Sequence, residues 1–130
     1  MLDLNLRCLI VDDNSEFLEA ARLLLAREGL TVVGVASSAR QARAEAGRLQ
    51  PDVTLVDVNL GQEDGFAVAR DLAGPEGSGG IVILISTHDE GEFAELIEAS
   101  PAVGFLAKPA LSASEIIRLV GLADAGWRQR

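Results

Sequence analysis

Apolar residues along this chain fall in short runs separated by polar segments of helical period, and the alternation repeats five times in 130 residues. Residues 6–11 (LRCLIV), 30–36 (LTVVGVA), 53–60 (VTLVDVNL), 81–86 (IVILIS) and 103–107 (VGFLA) are rich in β-branched and aliphatic side chains. Such runs predict strands buried on both faces, as in a parallel sheet covered by helices. After the first run, Asn14 can cap a helix in which Phe17, Ala21, Leu24 and Leu25 recur at helical spacing, with Gly29 as its stop. Ser38 with Gln41 and Ser112 with Glu115 read as capping boxes for the second and last helices. Pro51 ends the second, and the last runs to about Asp124. A turn over 61–65 leads to a helix carrying Phe66, Val68, Ala69 and Leu72. Residues 90–99 predict a short helix with Phe93, Leu96 and Ile97 inward and Glu92, Glu95 and Glu98 outward. Five strand–helix alternations predict an α/β fold with a parallel sheet.

Length and composition narrow the class. One domain is expected over 1–130, with a core of about 5–124 and a tail or linker stub at 125–130. The glycine-rich stretch 74–80 (GPEGSGG) has neither the lysine nor the spacing of a phosphate-binding loop, and it precedes a strand where such a loop would follow one. No run reaches the length of a membrane span, and acids flank the first apolar run, making it a poor signal peptide; a cytoplasmic protein is expected. A net charge of −9 disfavours direct nucleic-acid binding and suits divalent cations and basic protein partners. Cys8, the single cysteine, excludes an internal disulfide and reads as a buried, inert thiol.

The chemistry lies at the ends of the runs. Asp12 and Asp13 follow the first, Asp57 sits late in the third, Ser86 closes the fourth and Lys108 follows the fifth. In an open parallel sheet, sites form outside the carboxyl ends of the strands. Three carboxylates gathered there repel one another unless a cation neutralises them, and hard oxygen ligands suit Mg²⁺, with Mn²⁺ as a substitute. With a metal held by Asp13 and Asp57, the free oxygen of Asp57 is a candidate nucleophile toward phosphorus. Lys108 would then supply a positive charge to phosphoryl oxygens, and the Ser86 hydroxyl a neutral donor.

The motifs LIVDDN at 9–14, LVDVNLGQEDG at 55–65, ILIST at 83–87 and GFLAKP at 104–109 resemble those of the receiver domains of two-component response regulators, including chemotaxis-type single-domain ones. The resemblance covers about residues 5–124. It implies a flavodoxin-like, doubly wound five-stranded sheet of order 2-1-3-4-5 between two helical layers. It implies Asp57 as phosphoacceptor from a histidine kinase or histidine phosphotransfer protein. Asp12 and Asp13 would bind Mg²⁺, with the Asn59 backbone carbonyl as a further ligand. Ser86 and Lys108 would read the phosphate, Phe105 would swing inward as the switch aromatic, and the Lys108–Pro109 peptide bond would be cis. The output surface would be the fourth helix, fifth strand and fifth helix, acting on an output domain or partner protein.

Some positions depart from the family pattern. Gly61 stands where proline is common, which is expected to loosen the loop after the phosphoacceptor. Thr87 stands where alanine or glycine is usual, and its branched side chain is expected to narrow access to Asp57. Asn59 and His88 occupy positions where the family tunes phosphate lifetime. The last helix is apolar over more than one stripe through Ile116, Ile117, Leu119, Val120, Leu122 and Ala123, as a wide core face or a phosphorylation-dependent homodimer surface would require. Two other readings share the chemistry: a magnesium-dependent phosphohydrolase with an aspartyl nucleophile, and an unphosphorylated receiver-like binding scaffold. The first would want a second acid at position 59, which is asparagine, and a cap domain. Against the second, all five pocket residues are present.

Overall fold

The computed structural model describes residues 6–73 and 77–128. Five strands make one parallel sheet: β1 (Arg7–Val11), β2 (Thr31–Ala36), β3 (Val53–Asp57), β4 (Ile81–Ser86) and β5 (Gly104–Ala107). Their spatial order is β2-β1-β3-β4-β5, and every neighbouring pair is parallel. Because β1 is flanked by β2 on one side and β3 on the other, the connections leaving it diverge. That divergence opens a crevice at the carboxyl ends of β1 and β3.

Strand pleat divides the aliphatic residues between two cores. Cys8 and Ile10, Val53 and Leu55, Ile83 and Ile85, and Leu106 face α1 (Ser15–Arg27) and α5 (Ala113–Arg128), meeting Leu18, Leu25, Ile116 and Leu119. Leu9 and Val11, Val56, Val82 and Leu84, and Phe105 face the opposite layer, with α2 (Ala39–Leu49), α3 (Gly65–Leu72) and the segment holding α4 (Ala94–Ala99). Burial on both sides explains why the strands are continuous aliphatic runs without polar alternation. Within β3 the polar residues are Thr54 and the terminal Asp57, and the Thr54 hydroxyl donates to Gly79 O at 2.6 Å, so that buried oxygen is satisfied.

Local signals place most helix ends. The Asn14 side chain accepts from Glu16 N and Phe17 N, and Ser38 Oγ accepts from Gln41 N. The reciprocal half of the second box is displaced by one residue: Gln41 Oε1 takes the Ser37 N–H at 2.6 Å. Elsewhere tertiary contacts overrule the pattern. The segment expected to be helical from Glu90 begins as a 3₁₀ turn, Glu90–Phe93, and becomes α-helical only at Ala94. No side chain caps it, and Leu96, expected inward, is 54% exposed. In α1 the core residue missed by the spacing is Leu18, whereas Phe17 is only half-buried. The last helix continues to Arg128, past the expected end, while residues 129–130 of the anticipated tail lie outside the described residues. Among the described residues no helix is long and apolar enough to cross a membrane.

Candidate functional site

The crevice beside β1 and β3 holds the acids. Asp12 leaves β1 with its N–H still donating to Ala36 O, so the sheet ladder fixes its backbone. Its side chain is fully buried, and Oδ1 accepts from Asn14 N at 2.8 Å. Asp57 ends β3 at 6% exposure, with Oδ1 accepting from Asn59 N at 3.0 Å. Asp13 is exposed at the rim. One carboxylate oxygen from each of the three lies within 4.8 Å of the others.

Lys108 reaches this group from the end of β5. Its Nζ stands 3.1 Å from Asp57 Oδ2 and 2.5 Å from Asp12 Oδ2, with the side chain 11% exposed. The first contact is a directed hydrogen bond; the second is an ion contact without hydrogen-bond direction, so Asp12 Oδ2 is a buried oxygen lacking a proper donor. Burial pushes the Asp57 carboxyl above its ordinary value, and Asp12 adds to the shift; Asn59 N–H and Lys108 oppose it without cancelling it. Desolvation pulls the Lys108 ammonium down, but Asp12 and Asp57 together outweigh it and hold the group charged, above its ordinary value. One ammonium against three carboxylates leaves the pocket negative. That deficit, the undirected Asp12 Oδ2 and the all-oxygen donor set fit a hard divalent cation such as Mg²⁺.

The segment after Asp57 folds as a short hairpin. Residues Asn59–Leu60 pair antiparallel with Glu63–Asp64, and Gly61 and Gln62 form the two-residue connection. Gly61 has φ +63, where a proline ring cannot go, and a Cβ there would lie 3.2 Å from Asp13 Oδ2. The glycine's backbone conformation thus lets the turn lie close to the acids. Glu63 Oε1 accepts from Ala39 N at 2.8 Å, tying this hairpin to the start of α2. Gly65 lies against the site's own backbone, where a Cβ would fall 1.9 Å from Asp57 O.

Ser86 is buried at the end of β4, its Oγ accepting from His88 N at 3.0 Å, which leaves its proton free to donate. Asn59, Thr87 and His88 are exposed around the mouth, with Thr87 Oγ1 3.5 Å from His88 Nδ1. One expectation is corrected. The Lys108–Pro109 bond is trans: no cis peptide occurs among the described residues. Lys108–Ala110 instead forms a 3₁₀ turn closed by Leu111 N to Lys108 O, which accommodates the commoner trans proline. Phe105 is already inward at 8% exposure, its ring centroid 6.4 Å from Phe93, which in turn lies 6.0 Å from Phe66. Packing between these rings holds Phe105 in the inward position that the family resemblance assigns to the switch aromatic.

Sequence spacing also missed two contributors. Phe17 looked like core from its helical period, yet its ring lies 4.2 Å from Lys108 Nζ. Gly65 read as a turn residue, and only the folded chain shows β3 passing against it.

Comparison with known proteins agrees with this arrangement. The response regulator receiver domain family matches residues 8–120. Protein-glutamate methylesterase/protein-glutamine glutaminase 2 of Cereibacter sphaeroides is 36% identical over 110 residues, covering 84% of this chain and 30% of that protein. Response regulator GacA of Pseudomonas viridiflava is 30% identical over 126 residues, 95% of this chain and 57% of that one. Among solved structures, the signal receiver domain of a modulated diguanylate cyclase from Desulfovibrio desulfuricans superposes with TM-score 0.74 at 30% identity, covering 90% of this chain and 91% of that one. The chain therefore spans less than a third of the first of these relatives, and its fold and sequence place it in the response regulator receiver domain family.

Proposed function

We propose that Asp57 is the phosphoacceptor of this receiver domain, taking a phosphoryl group from the phosphohistidine of a histidine kinase or histidine phosphotransfer protein. The observation that supports this most is the Asp57 carboxylate itself, 6% exposed at the crevice and hydrogen-bonded to Lys108, which also contacts Asp12. Burial raises the basicity of the carboxylate, which favours attack on phosphorus while Lys108 holds the oxygen in place. As the new bond forms, the donor's P–N bond breaks and its imidazole leaves. Lys108 then meets the negative oxygens of the phosphoryl group, and the free Ser86 proton is available to one of them.

Asp12, Asp13 and Asp57, with the Asn59 carbonyl, are the residues that would hold Mg²⁺. When bound, the ion neutralises charge on the phosphoryl oxygens. Without it these acids repel both the donor and one another.

Switching would run from Ser86 through residues 87–93 to α4, with the Phe66–Phe93–Phe105 stack as the packing that must rearrange. An aspartyl phosphate adds close to two negative charges. Reversing a 1:99 equilibrium needs about 5.5 kcal/mol, more than a single hydrogen bond supplies, so Ser86, Lys108 and the ester must act together. The α4–β5–α5 surface would carry the output to a partner protein or output domain, and phosphorylation would promote pairing of two copies through α5. Asn59, Thr87 and His88 would set phosphate lifetime and access. Acetyl phosphate with Mg²⁺ should label the wild type and not Asp57→Asn, as read by intact mass. Equal labelling of the two would overturn the assignment.

A further inference from the structure

We infer that Phe17 is a positioning residue for phosphoryl transfer, acting through Lys108 by holding its ammonium against the face of the ring; this rests on the proposed role of the Asp57 pocket. Lys108 Nζ lies against Asp12 Oδ2, Asp57 Oδ2 at 3.1 Å, and the Phe17 ring, whose centroid is 4.2 Å away. A cation within about 6 Å of an aromatic centroid is attracted by the ring quadrupole, and the attraction grows as water is removed. Here the lysine side chain is 11% exposed, so the ring supplies one wall of its site.

The ring is held in place from the acids' side of the pocket. Asp12 Oδ1 accepts from Asn14 N at 2.8 Å, and Asn14 Oδ1 accepts from Phe17 N at 3.2 Å. The residue that contacts Lys108 at one carboxylate oxygen therefore also sets, through the other, the helix start that carries Phe17. Lys108 is the tip of a flexible four-carbon stem, and a point charge without a wall has several rotamers open to it. Two carboxylates alone would let the ammonium slide along their oxygens or out to solvent. The ring restricts it to the side from which it meets a phosphoryl group on Asp57. A leucine would preserve apolar bulk and lose the quadrupole, whereas tyrosine would keep it.

The test combines a static and a kinetic readout. In wild type, the Lys108 ε-methylene protons should show an upfield ring-current shift by NMR, retained in Phe17→Tyr and lost in Phe17→Leu. Initial labelling by acetyl phosphate with saturating Mg²⁺ should slow about five- to tenfold in Phe17→Leu and return to near wild type in Phe17→Tyr; tenfold corresponds to about 1.4 kcal/mol. In a Lys108→Ala background, Phe17→Leu should have no further effect, because the cycle isolates the pair. An unshifted Lys108 resonance in wild type, or an equal Phe17→Leu effect with and without Lys108, overturns the inference. Labelling of Asp57→Asn at the wild-type rate would instead overturn the phosphoacceptor assignment, leaving the NMR result to decide the contact.

Discussion

Helix α1 and the segment holding α4 pack on opposite faces of the sheet, and they are held very differently. Helix α1 has thirteen residues, an asparagine cap and three buried side chains, Leu18, Ala21 and Leu25. Helix α4 has six residues, starts from a 3₁₀ turn, lacks a side-chain cap and buries none of its residues. Its contact with the sheet runs through the half-buried Phe93 and Ile97. Stability within a protein is uneven, and elements that move in signalling come from its weakly held parts. The contrast assigns α1 as the fixed wall carrying Asn14 and Phe17, and α4 as the part that a change at Ser86 can shift.

The contrast is most exposed to failure in the core. Leu25→Ala should destabilise by about 2–5 kcal/mol in urea unfolding, whereas Leu96→Ala should stay within about 0.5 kcal/mol. Comparable losses at both sites would mean that α4 is anchored as firmly as α1. The next effect is at the caps: Asn14→Ala should cost about 1 kcal/mol, and Asp89→Ala close to nothing, since Asp89 makes no cap hydrogen bond.

Charge provides the next comparison. Burial holds the folded-state pKa of Asp57 above its unfolded value, so the folded state is favoured by its protonation and loses that contribution as pH rises through the raised pKa. Asp57→Asn should therefore raise Tm at pH 7 in chelator, and the gap should close or reverse when Mg²⁺ is added to wild type. A lower Tm in chelator would show that the Lys108 pair outweighs the burial cost. The smallest expected signal is at Cys8, whose thiol burial pushes up to about 12. Iodoacetamide at pH 8 should leave native Cys8 unmodified and label it fully in denaturant; rapid native labelling would show that β1 opens far more readily than this fold implies.

Much of the architecture was readable because the strands are largely aliphatic and the starts of α1, α2 and α3 each have a short polar cap. The acids were readable for the related reason that Asp12, Asp13 and Asp57 interrupt or end apolar runs where burial alone would forbid them. What escaped notice depends on contacts between distant segments. Period alone put Phe17 in the core, because nothing in the first fifty residues announces a lysine at 108. Leu96 has core spacing, but its helix starts late and leaves that side uncovered. Gly61 looked like a looser substitute for proline, and its positive φ became evident only with the Asn59–Asp64 hairpin in place.

The atom that receives phosphorus decides the role of Asp57. Treating the acetyl phosphate-labelled protein with borohydride reduces an aspartyl phosphate to homoserine, and peptide mass spectrometry then locates it. Homoserine at position 57, dependent on Mg²⁺, is the predicted result. Homoserine at position 12 or 13, or label on a hydroxyl residue that borohydride leaves intact, would contradict it.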